Sequence, residues 1–299
     1  MQQLDFCIIT PSYAPDFDRC KLLAWSIEAF APEQVKHYII VPKRDLSLFR
    51  QIKYRNTQLI TVESILPNWI HRLPVLKNWW FSFKHVVVRG WVIQQIIKLA
   101  AAEFLREDVF VFVDSDVAFI RPFDWSNFIR DDSRVRLFRI PSDIAPQAPI
   151  GDKWNYNARR LLNLPPGNLP VAGYIGQIMT WRHDNLKSLY KHIETVSGRG
   201  WIETVCSNWN LSEYVIYGVF VDEVLQALGH YYDSERICHE YWFTQSMSDE
   251  ELQNFFNRTL PQDIAVMISA KADISVHLYE DLVKNFHKNQ LINTCESAI

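Results

Sequence analysis

Glycine is scarce in this chain, with nine in 299 residues, and the five cysteines (Cys7, Cys20, Cys206, Cys238, Cys295) lie scattered without a C-x-x-C pair. That pattern excludes a compact zinc site and an even disulfide framework, and it fits a reducing compartment. No apolar run reaches the roughly 18 residues that a membrane-spanning helix needs. Met1 to Asp5 carry no basic segment leading into an apolar core, as a secretory signal would. Charge of one sign is missing too. The 31 basic and 34 acidic residues leave a net charge of −3, without the basic field that nucleic acid requires. The expectation is a cytoplasmic protein with no nucleic-acid partner, touching at most the inner face of a membrane.

What is present points to a globular domain. Hydrophobic residues make up 48% and charged residues 22%, and 299 residues suffice for one large α/β domain or two small ones. Eleven tryptophans are many. Their flat apolar faces suit the C–H faces of sugars, and they fill cores equally well.

Strand and helix patterns alternate over the first 120 residues. Leu4 to Thr10 reads as a buried strand ended by Pro11, Phe17 to Phe30 as a helix, and His37 to Val41 as a second strand. Lys43 to Ile52 reads as helix, Gln58 to Val62 as strand, and Gly90 to Leu105 as one long helix after a tryptophan-rich stretch. Such alternation predicts βαβ units in a largely parallel sheet with helices on both faces. Asp108 to Val113 is the most strand-like run in the chain, suited to a central strand buried on both faces. Six of the fourteen prolines crowd residues 141–170, which read as a long rim loop enclosing a helical piece, Trp154 to Leu162. The remainder predicts a strand (Tyr174 to Trp181), helices (Asn185 to Val196, Ser212 to Leu228, Asp249 to Phe256) and a strand (Ile264 to Ser269).

The chemistry lies in Asp114-Ser115-Asp116, which ends the central strand. Read as strand residues two apart, the carboxylates leave one face, at the end of a buried strand where open α/β sheets bind ligands. Two neighbouring carboxylates there repel and lose hydration, so a positive partner must compensate. A hard divalent ion, Mn²⁺ or Mg²⁺, shared with a diphosphate does so and stabilises the departing nucleoside diphosphate.

With Val-Phe-Val-Asp-Ser-Asp-Val over residues 111–117, the chain resembles bacterial glycosyltransferases of the GT-A fold, loosely over nearly its whole length. The resemblance implies a metal-dependent transferase that moves a sugar from a nucleoside-diphosphate sugar, a UDP-sugar being favoured, to a saccharide or lipid-linked saccharide. It implies a nucleotide-sugar-binding half over residues 1–121, continuous with an acceptor-binding half over 122–299. It implies a base-holding loop at Thr10, Pro11, Ser12 and Tyr13, and donor contacts from the helix Arg89 to Leu99.

On that helix Gln94 and Lys98 are four apart and share a face, so Lys98 either snorkels to water or meets an anion. Arg89 opens the helix as a further candidate. Ser212 fits a helix N-cap, which accounts for Glu213 as a first-turn acid. Glu213 also lies 99 residues after Asp114, a spacing similar to that of the base in inverting GT-A enzymes, and Asn208 to Tyr214 is rich in sugar-binding residue types. Asp184 competes for that role or simply opens a helix. Gly173 and Gly176 suggest close backbone approach to a ligand. The resemblance implies His277 as a third metal ligand, and Lys271 is a candidate to neutralise the diphosphate. Trp79 to Lys84 line an acceptor groove, dock at a membrane surface, or fill the core.

Two other classes share part of this pattern. A haloacid-dehalogenase-type phosphatase also uses D-x-D, but wants Thr or Val where Ala118 stands and opens its domain with the motif. A carbohydrate-binding protein without turnover would bind through the same residues.

Overall fold

A computed structural model describes residues 4–73, 79–84, 87–146 and 149–296, with side chains to residue 289. In chain order the elements are β1 (Phe6–Pro11), α1 (Phe17–Phe30), β2 (Lys36–Val41), α2 (Leu46–Phe49), β3 (Thr57–Thr61), α3 (Val62–Ile65), β4 (Ile70–Arg72), β5 (Trp79–Ser82), β6 (Val87–Arg89), α4 (Gly90–Leu99), α5 (Ala101–Phe104), β7 (Val109–Val113) and β8 (Val117–Phe119). They continue with β9 (Val135–Phe138), α6 (Pro149–Leu161), β10 (Ile178–Arg182), α7 (His183–Ser197), α8 (Trp201–Cys206), α9 (Glu213–Val219), β11 (His230–Asp233), β12 (Cys238–Tyr241), α10 (Asp249–Asn257), β13 (Ala265–Ile268) and α11 (Glu280–Glu296).

The expected parallel core is present. A five-stranded sheet runs in the order β10-β7-β1-β2-β3. β1 and β2 are parallel, with Ile9 opposite Tyr38. Val109 N–H donates to the Asp5 carbonyl, so β7 starts beside the start of β1 and runs with it. All five residues of β7 are buried, as its unbroken β-branched and aromatic pattern requires.

Contacts divide the chain into two compact units, each assembled from three segments: Met1–Phe6, Thr61–Val111 and Phe128–Glu235 in the first, Cys7–Ile60, Phe112–Asn127 and Arg236–Ile299 in the second. Neither is a half of the sequence cut at residue 121.

In the second unit, α1 buries two faces. Leu22 joins a cluster with Ala118, Val266, Ile268, Phe256 and Val283, while Cys20 and Ala24 join Ile39, Val41 and Phe49. A smaller sheet, β12-β13-β8, stands here, with β13 antiparallel to β8 and parallel to β12. In the first unit, β9 and β11 pair in parallel, and β4-β5-β6 form an antiparallel sheet out of the tryptophan-rich stretch. Arg136, 2% exposed, is held by Asp233 at 2.7 Å, and Trp181 stacks on Tyr217 at 4.7 Å.

Three expected elements are cut short. The helix over 90–105 breaks at Ala100, where ψ relaxes to −2° and α5 starts anew. The helix over 212–228 ends at Leu225 after a π-turn (Phe220–Val224), because Gln226 and Ala227 turn left-handed at φ 51° and 60°. The strand expected from Tyr174 begins only at Ile178, since Gly173 instead exchanges hydrogen bonds with Ile140 at 2.8 and 3.0 Å. Gly218 in α9 lies against the Tyr174 ring, and a Cβ there would overlap it. Gly218→Ala should therefore cost about 1–3 kcal/mol, read as a lowered denaturant midpoint with an unchanged slope.

Candidate functional site

The carboxylate pair closes β7, but not as strand residues. β7 stops at Val113, and Val117 N–H returns to the Asp114 carbonyl at 3.2 Å, so Asp114 to Val117 form a tight turn into β8. The period-two argument for a shared face is thus replaced by a turn. The turn is fixed from β13: Ile268 N–H donates to the Asp116 carbonyl and Ala270 N–H to Asp116 Oδ2, each at 3.2 Å.

This turn sits where the sheet order reverses. From β1 the chain moves out to β2 and β3, and it returns to β7 on the other side of β1. The ends of β1 and β7 therefore open a crevice in the second unit, the usual ligand position in such sheets. Burial pushes the Asp116 carboxyl up to about 6, helped by the charges of Asp114 and, more weakly, Asp16, against the pull of the Ala270 N–H. Burial likewise raises Asp16, with Arg19 opposing and Asp114 adding. Among the described residues no Lys, Arg or His forms an ion pair with Asp116. Asp16 is the acid that sequence reasoning missed; it stands apart from the motif in the chain, and only the β1–β7 adjacency brings it in.

The loop after β1 divides. Thr10 is fully buried and its hydroxyl meets His37 Nε2 at 2.9 Å, so its side chain is spent within the sheet. Pro11 ends β1. Ser12 is buried with no hydrogen-bond partner for its hydroxyl among the described residues, and Tyr13 is 39% exposed. Asp45 accepts the Ala14 N–H at 3.1 Å and holds the loop. Arg19 donates to the Ile274 carbonyl at 3.1 Å and lies 3.9 Å from Asp16, with its buried Nε unpartnered among the described residues.

His277 does not complete the pair. It is exposed, 3.3 Å from Glu280, and among the described residues no three His, Cys, Asp or Glu side chains converge as a metal site. Lys271 is exposed, one residue beyond the amide that binds Asp116. Ser115 is buried within the turn.

The first unit holds the other candidates. Lys98 meets an anion, but one from its own chain: its Nζ lies 3.0 Å from Glu213 Oε1 and 2.8 Å from the Tyr214 hydroxyl, all three buried. Gln94 is exposed, and the buried amide is its neighbour Gln95. Arg89 lies over the Trp209 ring at 4.4 Å. Asp184 is gripped by the Arg182 fork at 2.9 and 2.7 Å; burial works to raise its carboxyl, and the fork with the Asn185 N–H holds it below the ordinary range. It reads as a helix-end acid. Gly176 lets the chain pass Phe138, which a Cβ would approach to 3.3 Å, so this glycine serves packing.

Two measurements follow. Because the folded state raises Asp116 from 3.8 to about 6, metal-free protein holds a proton the unfolded chain releases, and stability falls as pH climbs through that window. Asp116→Asn should stabilise metal-free protein at about pH 7.5 by on the order of 1–3 kcal/mol, the gain vanishing near about pH 4 in denaturant titrations. Lys98→Met should cost about 3–5 kcal/mol by leaving Glu213 buried and unpaired, and Lys98→Met with Glu213→Leu should recover much of that loss.

Two solved structures of LgtC each cover 95% of this chain and 95% of their own. The galactosyltransferase LgtC in complex with donor and acceptor sugar analogs is 13% identical with a TM-score of 0.48, and an active-site mutant of LgtC is 12% identical with a TM-score of 0.50. The second likeness supports the GT-A fold and extends to the fold alone. No curated protein sequence matches the chain. The model of a family of unknown function, DUF6492, matches residues 4–290, and the chain belongs to that family.

Proposed function

We propose that this protein is a glycosyltransferase that takes a sugar from a nucleoside-diphosphate sugar to a saccharide or lipid-linked saccharide hydroxyl, with a divalent cation held by Asp114 and Asp116. One observation carries the reading: Asp116 is half-buried beside Asp114 and Asp16 at the sheet's switch point, with no cationic side chain of its own among the described residues. At neutral pH that arrangement is costly unless a cation enters.

The donor set suits such an ion. Two carboxylates without a third protein ligand among the described residues fit Mn²⁺ or Mg²⁺, which take their remaining ligands from water and diphosphate oxygens. When bound, the ion would offset charge on the leaving nucleoside diphosphate. The chain's own residues do the rest. Ala270 N–H orients the Asp116 carboxylate, the exposed Lys271 ammonium attracts the diphosphate, and the Ser12 hydroxyl and Tyr13 ring hold the nucleoside.

Thermal-shift measurements with nucleoside diphosphates, UDP first, test the donor site. Stabilisation by one nucleotide, only with Mn²⁺ and lost in Asp116→Ala together with turnover, is the expected result; a fully active Asp116→Ala removes the aspartate from the site. The acceptor-base role proposed for Glu213 has its own test. Glu213→Gln should lower turnover by about 10²-fold with nucleotide binding unchanged, whereas a near-native rate leaves Glu213 as the partner of Lys98 alone.

A further inference from the structure

The first unit exposes indole rings in a pattern that core packing does not explain. Trp91 is 49% and Trp209 is 46% exposed. Neither is loose. The Trp91 Nε1–H donates to the Leu211 carbonyl at 3.1 Å, and its ring lies nearly parallel to that of Trp154, 18° apart with centroids at 6.4 Å. Trp209, two residues before Leu211, carries the Arg89 guanidinium over its face at 4.4 Å and meets the edge of Trp79 at 6.4 Å. Asn157 of α6 donates to the Asn210 carbonyl at 2.7 Å and pins this loop to the helix that bears Trp154.

The chemistry of the patch selects its ligand. The indole N–H of Trp91 is already spent on the protein, so an apolar face is what it offers outward. A buried indole would be packed; Trp91 is oriented by its hydrogen bond and Trp209 by Arg89 and Trp79, and both are left half in solvent, at a cost that a flat apolar ligand face would offset. A second observation lies one turn along α4 on the same face. Gln95 is 1% exposed, and neither atom of its amide has a hydrogen-bond partner among the described residues. A buried amide left unmatched is costly, and a hydroxyl can satisfy either end of it. A lipid surface is a poorer match, because anionic membranes want clustered lysine and arginine, while this chain has a net charge of −3 and the patch's Arg89 is engaged over Trp209.

We infer that Trp91 and Trp209 form a saccharide-binding platform on which a neutral sugar stacks its C–H face, with Gln95 beneath it for a sugar hydroxyl. Its role in transfer rests on the glycosyltransferase reading, but its binding is separable from that reading.

The test is saturation-transfer NMR on the full chain with lactose, cellobiose and maltose, without nucleotide or metal. At least one disaccharide should be saturated. Trp91→Ala and Trp209→Ala should each weaken its binding by about tenfold, and Trp91→Phe, which keeps a ring, by only about threefold. Trp242→Ala, at an exposed tryptophan of the second unit, should leave binding unchanged and so guards against a nonspecific indole effect. The platform is overturned if none of the three sugars is saturated, or if the alanine variants bind as the native chain does. It is also overturned if the native chain binds phosphatidylcholine–phosphatidylglycerol vesicles and the variants do not. Nucleotide binding with Mn²⁺, measured in parallel, keeps the two proposals apart. Sugar binding without it leaves the platform standing and removes the transfer reading; nucleotide binding without sugar binding does the reverse.

Discussion

A carboxylate crowded by two others at the closed end of a buried strand is the constraint on which the rest depends. Asp116 is not merely acidic; its surroundings make its charge expensive, and the chain supplies only backbone N–H groups, those of Ala270 and of Asp116 itself, where a cation would be needed. The parallel run of β1 with β7, the tight turn from Asp114 to Val117 and the bonds from β13 all serve to hold that unfavourable arrangement in place. A fold that stabilises an uncompensated charge at a switch point invites a ligand to complete it.

The first unit shows the opposite treatment of buried charge. Lys98 and Glu213 are more deeply buried, yet they neutralise each other, and Lys98 also donates to the Tyr214 hydroxyl. Arg136, buried against Asp233, follows the same rule. Internal pairing of this kind asks for no ligand. The contrast lies in whether a charge finds its partner within the chain, and sequence spacing alone does not reveal it.

Much of the architecture was legible. Helix α1 runs over the residues its apolar spacing predicts, and β7 lies where a run of Val and Phe demanded a strand buried on both faces. What failed has local causes. The tryptophan-rich stretch gave no period because β4, β5 and β6 are three or four residues each, too short to alternate visibly. Helix ends were misread where the chain turns left-handed at Gln226 and Ala227, residues whose types do not announce it. At the site, the D-x-D stood out because its neighbours form a strand, whereas Asp16 needed the strand order. Lys98 is expected either to snorkel or to meet an anion; the anion it meets is Glu213, 115 positions away and without a local signature.

The central claim, that a cation completes the aspartate turn in the presence of a nucleoside diphosphate, is tested most directly by anomalous diffraction. Crystals grown with Mn²⁺ and UDP, measured at the manganese edge, should show one strong peak at bonding distance from the Asp116 carboxylate, with the diphosphate oxygens against it. A bound nucleotide with no manganese peak at that turn, or a peak only elsewhere on the protein, would contradict the account.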